Sequence, residues 1–479
     1  MIVKKNIPNV FIIFLAFHLV VWTVVPAISN INLPLDTIEA LAWGSDLDWG
    51  YNKHPPLSAF FVELVYFIFG AQDWAYYLLS QIFVIIAFIY VWKFSEEIFN
   101  DKIYSLLSVL ILESVYFYNF TTPEFNVNIC QLPFSAIVVY YFWKSINTNR
   151  YIHWLIFGVF SSLGFLSKYL FIYLLASIFI YFLLNCIKTK KYIFKYFISI
   201  IFSLMIISPH LKWLVENDFI TIFYGFNRTG LLNESFTEIT NNLISNETNF
   251  MGKIDISFKD HIYNPVIFIF KQLSVLIPFI FIFSTLVKKL KIKINFKDKK
   301  TLFLISINLI PFLLVLITAL ITGAKIRTMW MTPFYLFLGI LVIYIFKRYI
   351  NLANLKKFYF VFLFFLVLSP ITYLAISLHD DTKRTDFPGK EIARLVQNKW
   401  ENNFRNEIRI VIGDEWYAGN LSYHLSSRPT WLQSLKGNYV NVKANEGVIY
   451  AGNPQILKKI CPGVFGEIRP VGYCMIGQK

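Results

Sequence analysis

Long apolar segments separated by short polar ones run along most of the chain. A segment of roughly 20 apolar residues is long enough to cross the ~30 Å hydrocarbon core of a bilayer as a helix. The pattern predicts eleven such helices, the first of them uncleaved, over residues 10–29, 74–93, 103–120, 128–143, 153–167, 169–187, 192–209, 265–287, 301–321, 329–346 and 358–378. The expected fold class is therefore an α-helical polytopic membrane protein.

Basic residues predict the orientation of these helices. Lysine and arginine gather at residues 4–5, 188–195, 288–300 and 347–357. Cytoplasmic loops carry an excess of these residues, so all four segments are predicted to be cytoplasmic, and an odd number of helices then places the C-terminus outside. All four basic segments fall on the cytoplasmic side only if residues 153–187 form two short helices that meet at Lys168 rather than one long helix.

Four segments are predicted to lie on the exoplasmic side of a membrane domain that covers residues 1–378. They are the loops 30–73, 121–127 and 210–264 and a terminal domain over residues 379–479. Within the first loop, residues 57–70 are apolar but too short to span, which favours a helix lying in the membrane plane. In the terminal domain, residues 391–400 are typical of an amphipathic helix and residues 408–413 and 446–452 of strands, so a small soluble α/β domain is expected.

Composition supports the membrane setting. Apolar residues make up 56% of the chain and charged residues 15%. The net charge of +15 is spread over loops between apolar segments, whereas a nucleic-acid-binding protein gathers its charge on one soluble face. Cys130 and Cys186 lie in or beside predicted helices, where a small buried role is expected. Cys461 and Cys474 lie in the terminal domain, where a structural disulfide is one of two open outcomes.

Candidate chemistry concentrates in the first exoplasmic loop. Asp36 and Glu39 are three residues apart, so a short helix would place both carboxylates on one face. Such a pair can act as a general base, bind a divalent cation or stay solvated. Lys53 and His54 follow in the same loop, held by a Pro-Pro pair with restricted φ. Carboxylates beside positioned cations suit a transfer in which one group loses a proton and a phosphate departs.

These residues carry a resemblance to a known superfamily. The acidic first loop, the element GYNKHPPL at residues 50–57, TTPEFN at 121–126, GVFSSLGFLSKY at 158–169 and SPHLKWL at 208–214 resemble the GT-C membrane glycosyltransferases. Within them the chain is similar to the bacterial family 39 and aminoarabinose-transferase-like group, which is related to the dolichyl-phosphate-mannose protein mannosyltransferases. The resemblance covers about residues 35–219.

The resemblance implies an inverting glycosyltransferase in the inner membrane of a bacterial cell envelope, with its site and C-terminus on the periplasmic side. It would move a single hexosyl or pentosyl unit from a polyprenyl-phosphate donor to lipid A, a core glycolipid, a polysaccharide or a protein. Lipid A modification is one such reaction. Neither the sugar nor the acceptor can be assigned from the sequence.

The resemblance also implies roles for single residues. Asp36 matches the first-loop aspartate that activates the acceptor, whereas many relatives have Asp-Glu where this chain has Asp36-Thr37, with Glu39 further on. Aminoarabinose transferases place Glu-Lys before Pro-Pro, with the glutamate assisting a metal site. This chain has Lys53-His54, so that glutamate is absent and a divalent metal cofactor is left open.

Several residues are candidates for the active site, and each also has a possible structural role. The candidate catalytic residues are the acidic Asp36, Glu39 and Glu124. The candidates for binding the donor phosphate are Lys53, His54, Lys168, Arg228 and Arg327, with Lys325 beside Arg327. Tyr51 and Asn126 are candidates for sugar or acceptor contact, and His210 is a candidate metal ligand. Glu124 and Asn126 suit helix entry equally well. The cations suit anchoring at the membrane interface, and a lone histidine is more often structural.

The sequence leaves two other classes of function open. A transporter or flippase for a lipid-linked sugar would carry ionisable residues inside its spans, where Glu113 is the main exception to an uncharged pattern and has no evident partner in the sequence. A polymerase or ligase of surface polysaccharide would use the same lipid-linked donors but transfer oligosaccharides. The resemblance favours single-sugar transfer.

Overall fold

The computed structural model describes residues 6–187, 189–228, 257–287, 294–380, 382–432 and 444–479. Helices dominate up to His379. In chain order they are α1 (Ile7–Ser29), α2 (Leu35–Gly44), α3 (Leu57–Phe69), α4 (Asp73–Phe99), α5 (Lys102–Leu110), α6 (Val127–Cys130), α7 (Leu132–Thr148), α8 (Tyr151–Ser167), α9 (Ile172–Asn185), α10 (Lys190–Glu216), α11 (Ile220–Arg228), α12 (Asp260–Val275), α13 (Ile277–Ser284), α14 (Lys299–Thr322), α15 (Leu338–Phe346) and α16 (Leu355–His379). The predicted helical membrane protein is confirmed.

The predicted number of spans is not confirmed. Five described helices are long and apolar enough to cross a bilayer, and seven if each of two bent helix pairs counts as one span, so the count of eleven is not confirmed. The predicted span 103–120 shows why: α5 ends at Leu110 and the chain continues in 3₁₀ turns over Ile111–Ser114 and Tyr116–Tyr118. The length and apolar character of a segment do not reveal where the helix within it is interrupted.

The predicted break at Lys168 is confirmed. Its backbone is extended (φ −165°, ψ 133°), which ends α8 after Ser167. Trp154, near the start of α8, contacts Phe182, near the end of α9, with ring centroids 6.4 Å apart. The two helices therefore run back along each other, and Lys168 lies at the turn between them.

Basic residues gather at the opposite end of the bundle. The Lys195 ammonium donates to the Asn149 carbonyl at 2.6 Å, and that of Lys300 donates to the Ile98 carbonyl at 2.6 Å. Lys347 lies 4.8 Å from the centroid of the Tyr104 ring. The described parts of the lysine-rich segments thus share one end, as the charge pattern predicted; residues 4–5, 188 and 288–293 lie outside the described chain.

The third exoplasmic loop begins later than predicted. His210 lies inside α10, which continues through Pro209 to Glu216, so the loop does not begin at residue 210. Residues 229–256 of it lie outside the described chain. Proline usually ends a helix because it lacks an N–H group, but packing can override this preference. Here the Trp213 ring packs on Gly50, where an added Cβ would lie 2.3 Å from the ring.

The C-terminal region is a five-stranded sheet flanked by three helices. The strands are β1 (Ile410–Ile412), β2 (Thr430–Leu432), β3 (Val448–Gly452), β4 (Val464–Ile468) and β5 (Val471–Ile476), and the helices are α17 (Gly389–Glu401), α18 (Tyr417–His424) and α19 (Pro454–Ile460). Their order is β2-β1-β3-β5-β4, with β1 parallel to both neighbours and β5 antiparallel to both of its own. The predicted helix and both predicted strands are present as α17, β1 and β3. Cys461 and Cys474 form the disulfide.

This sheet domain docks on the first loop. Gly419 of α18 faces α2, where an added Cβ would lie 3.1 Å from that of Ala42, so the lack of a side chain eases this close approach. The Arg428 guanidinium donates to the Leu41 carbonyl at 2.7 Å and to Glu63 Oε2 at 2.6 Å. Asn32 Nδ2 donates to Asn420 Oδ1 at 2.7 Å. The docking fixes α2 between the helical bundle and the sheet.

Helix α3 has the character predicted for residues 57–70. One side packs into the protein through Val62 and Val65, which are buried. The other side exposes large apolar residues, with Phe67 88% and Ile68 59% exposed. An apolar face this open is typical of a helix in contact with lipid.

Candidate active site

Helix α2 presents the two predicted carboxylates on one face. Pro34 precedes the helix, and Asp36 lies in its first turn, where the positive end of the helix dipole favours an anion. The Asp36 N–H donates to Glu124 Oε1 at 3.1 Å, and the Thr37 hydroxyl donates to the Phe125 carbonyl at 3.1 Å. The turn at residues 121–127 thus holds the start of α2 and brings Glu124 beside Asp36.

Lys53 bridges the first loop to the sheet domain. Its ammonium lies 2.7 Å from Glu39 Oε1 and 2.9 Å from Glu415 Oε2. The sequence did not identify Glu415. The one available signal was its position just after β1, because polar residues at the carboxyl ends of parallel strands often form sites. Nothing in the sequence indicates which membrane loop that edge would meet.

Three cations act electrostatically on Asp36. Lys168 Nζ donates to Asn128 Oδ1 at 2.6 Å and lies 5.3 Å from the centroid of the Trp330 ring. Arg327 follows α14 and is exposed to solvent, and its guanidinium makes no hydrogen bond or ion pair to another described residue. The charges of Arg327, Lys168 and Lys53 all act on Asp36. The structure thus brings together predicted residues that are up to 291 positions apart in the chain.

Burial and neighbouring charges shift the pKa values of this cluster. Desolvation, with the carboxylate of Glu124, raises the pKa of Asp36 to about 7, although the three cations oppose the shift. Desolvation, with Glu415, raises the pKa of Glu39 to about 8 against the pull of Lys53. Desolvation lowers the pKa of Lys168 to about 7, opposed by Asp36. Groups that exchange protons near neutral pH are typical of catalytic sites.

Other predicted site residues have structural partners. Asn126 accepts hydrogen bonds from the N–H groups of Asn128 and Ile129 at 2.9 and 3.2 Å, which caps α6. The Tyr51 hydroxyl donates to the Asp46 carbonyl at 3.3 Å and its ring stacks on Trp43. The His54 ring packs edge-on against Trp43, with centroids 5.9 Å apart. These contacts shape the loop around the acidic pair.

Arg228 and Lys325 stay predictions without a described contact. Arg228 is the last residue of α11, and its side chain lies outside the described part of the structure. Lys325 is exposed two residues before Arg327.

The residues of the site do not fit a divalent metal. His210 uses both ring nitrogens within the protein: Nε2 bonds the Tyr169 hydroxyl at 2.8 Å and Nδ1 the Trp49 carbonyl at 2.5 Å. The facing carboxylates of Glu39 and Glu415 already hold the ammonium of Lys53. Among the described residues, no three histidine, cysteine, aspartate or glutamate side chains are grouped closely enough to hold a metal ion.

Comparison with known proteins supports the resemblance seen in the sequence. The profile of the family described as dolichyl-phosphate-mannose-protein mannosyltransferase matches residues 53–213. No curated protein sequence gives a significant match.

Solved structures match over nearly the whole chain. ArnT from Cupriavidus metallidurans bound to undecaprenyl phosphate is similar with a TM-score of 0.63 at 12% identity, covering 97% of each chain. The same protein in its apo state gives 0.62 at 11% identity and 98% of each chain. The oligosaccharyltransferase AglB from Archaeoglobus fulgidus gives 0.46 at 11% identity, covering 93% of this chain and 69% of that one. The two matches to ArnT show that the chain has the fold of the GT-C membrane glycosyltransferases.

Proposed function

We propose that the protein is an inverting glycosyltransferase that moves one sugar from a polyprenyl-phosphate donor to an acceptor outside the cytoplasm. Lipid A, a core glycolipid, a polysaccharide and a protein are the acceptor classes. The observation that supports this most directly is the environment of Asp36, a desolvated carboxyl beside Glu124 and within the field of three cations. The fold and the match at residues 53–213 support the same donor class.

Asp36 is proposed as the general base. A base is most effective when its pKa lies near the working pH, and burial raises the pKa of Asp36 to about 7. Its ionised form accepts the proton of the acceptor hydroxyl while that oxygen attacks the anomeric carbon. The bond from the anomeric carbon to the phosphate oxygen breaks on the opposite face, and its electron pair leaves with the phosphate. Attack from the opposite face inverts the anomeric centre.

The cations are proposed to receive the departing phosphate. Arg327 is the best placed for direct contact, because its guanidinium is exposed and can offer a two-pronged hydrogen bond to phosphate oxygens. Lys168 adds a second positive charge from the turn between α8 and α9. Lys53 contributes charge but is already held by two carboxylates. Such preorganised charges stabilise the anion that develops in the transition state.

A transporter of lipid-linked sugars is less well supported. In the described spans, the buried carboxylate of Glu113 has His18 as its partner, with Nδ1 and Oε2 3.0 Å apart. Both side chains are fully buried. The larger group of charges lies instead around Asp36, at one end of the bundle.

Mass spectrometry of cell-envelope fractions tests the proposal. Membranes from bacteria expressing the wild type, Asp36→Asn or Asp46→Asn are separated into lipid A, core and glycoprotein fractions. Asp46 is exposed in the same loop and serves as the matched control. A single-sugar mass increment is expected in one fraction with the wild type and the control, and its loss with Asp36→Asn.

Three other results have clear meanings. No increment in any fraction would overturn the proposed function. An undiminished increment with Asp36→Asn would overturn the role of Asp36, and an increment of several sugars would favour a polymerase or ligase.

A further inference from the structure

We propose that Glu415 of the sheet domain is a positioning residue that holds Lys53 in the active site, so that the site is complete only when this domain is docked. The inference rests on the proposed function and adds a residue and a domain to it. Glu415 would act through Lys53 and Glu39 without touching either substrate.

The contacts of Glu415 are short and well shielded. Lys53 Nζ lies between Glu39 Oε1 at 2.7 Å and Glu415 Oε2 at 2.9 Å. The three side chains are only 17%, 14% and 7% exposed in that order. Ion pairs exposed to water contribute little, whereas shielded ones are costly to break. Lys53 is therefore confined to the line between two carboxylates that belong to different domains.

The sheet domain holds Glu415 rigidly. Asp414 Oδ1 accepts hydrogen bonds from the N–H groups of Trp416 and Tyr417 at 2.8 and 2.7 Å, which fixes the turn that carries Glu415. Helix α18 begins directly after this turn and packs on α2 through Gly419. One rigid contact surface thus joins the turn to the helix that carries Asp36 and Glu39.

The charge of Glu415 also reaches Glu39. Three described groups, Glu415, Lys53 and Asp36, shift the pKa of Glu39. The charge of Glu39 in turn raises the pKa of Glu124. Glu415 makes ionisation of Glu39 harder and Lys53 makes it easier. If Glu415 lost its charge, Glu39 would ionise at lower pH. Loss of this charge shifts the ionisation of Glu39 whatever the role of Glu415, so the discriminating readout is the coupling between Glu415 and Lys53 in kcat/KM of a double variant.

The experiment uses the purified full-length protein in detergent with a polyprenyl-phosphate sugar as donor. Steady-state rates are measured from pH 5 to 9 for the wild type, Glu415→Gln, Glu415→Asp, Lys53→Met and the double variant Lys53→Met/Glu415→Gln. Glu467→Gln is the matched control, because Glu467 is an exposed carboxylate on the same sheet, 3.9 Å from the exposed Arg469.

Three results are expected. Glu415→Gln lowers kcat/KM by about tenfold to a hundredfold, because misplacing a supporting group by a fraction of an ångström is costly. The acid limb of its pH profile stays at that of the wild type, because Asp36 governs this limb, and Glu415→Asp recovers part of the rate because it keeps the charge. Adding Glu415→Gln to Lys53→Met causes no further loss, because Glu415 acts through Lys53.

The inference fails if Glu415→Gln matches the Glu467→Gln control in kcat/KM. It also fails if the two losses add in the double variant. Should Glu415→Gln fail to fold, Glu415→Asp decides: an unchanged kcat/KM would overturn the inference, and a lowered kcat/KM with the wild-type limb would support it. A wild type that transfers no sugar from any polyprenyl-phosphate donor would overturn the proposed function instead.

Discussion

The pair formed by His18 and Glu113 and the cluster around Asp36 both hold ionisable side chains away from water, but they are built differently. The pair lies within the bundle, between α1 and the 3₁₀ turn at Ile111–Ser114, and both side chains are fully buried. The cluster lies where the bundle meets the sheet domain, and its charges include an exposed arginine, Arg327.

The difference separates a structural polar contact from a candidate site. In the pair, each side chain is the only ionisable partner of the other among the described residues, although His18 Nε2 and Glu113 Oε1 make no hydrogen bond. In the cluster, carboxylates and cations act on one another across several elements, and Arg327 has hydrogen-bonding capacity to spare. A desolvated carboxyl beside cations that can still bind a ligand indicates a catalytic site, whereas burial alone does not.

The largest expected effect is the loss of the base. Asp36→Asn keeps the shape of the side chain but removes its ability to take a proton, and kcat is expected to fall by about a thousandfold. The thermal unfolding midpoint is expected to stay within about two degrees of the wild type, because desolvation disfavours the charged form that the variant lacks. Rates with a polyprenyl-phosphate sugar and an unfolding scan measure the two quantities, with Asp46→Asn as the control.

The second prediction concerns the pair formed by His18 and Glu113. His18→Ala leaves Glu113 buried without its partner, which is expected to lower the free energy of unfolding by about 3–5 kcal/mol. The rate per folded molecule is expected to stay near that of the wild type. The double variant His18→Leu/Glu113→Met should recover most of the stability, because it leaves no unpaired polar group.

Denaturation in mixed detergent measures these stabilities. A loss of activity per folded molecule in the stable double variant would show that the pair takes part in the reaction, as the cluster around Asp36 is proposed to do.

A smaller effect is expected at the exposed cation. Arg327→Gln should raise KM for the donor by about tenfold to a hundredfold, the range for losing one charged hydrogen bond. Lys325→Gln, two residues away and equally exposed, is the matched control and should change KM less than twofold. Equal effects of the two substitutions would indicate general attraction of the anionic donor rather than a contact made by Arg327.

The smallest predicted effect is a shift in pH dependence. Asp36 works as a base in its ionised form, so activity is present above its pKa and is lost as the pH falls through it. Lys168 lowers the pKa of Asp36 from its place between α8 and α9. Lys168→Met should therefore move the acid limb of kcat/KM to higher pH by about one unit. A limb that stayed in place would show that Asp36 does not govern it.

Local patterns in the sequence predicted the parts of the site that lie close together in the chain. The spacing of Asp36 and Glu39, the proximity of Lys53 and the turn at Lys168 are all present in the structure. So are the helix and strands of the terminal domain, because their periodicity depends only on neighbouring residues.

Contacts between distant parts of the chain could not be predicted in this way. Glu415 meets Lys53 across 362 positions, and Glu113 meets His18 across 95. His210 was predicted to begin a loop after a helix that ended at residue 209, yet the helix continues past Pro209, where Trp213 packs on Gly50. In each case the deciding partner lies on another element, which no local pattern reveals.

Helix α3 has a consequence for how the donor arrives. It follows directly after the loop that carries Lys53, and its exposed phenylalanine and isoleucine face is suited to the lipid boundary. A donor anchored by a polyprenyl chain would then reach the site by diffusing within one leaflet. Its effective concentration would be its mole fraction among the lipids, not its amount per volume. Diluting a membrane suspension with buffer should leave the occupancy of the site unchanged, whereas diluting the donor with added phospholipid should lower it.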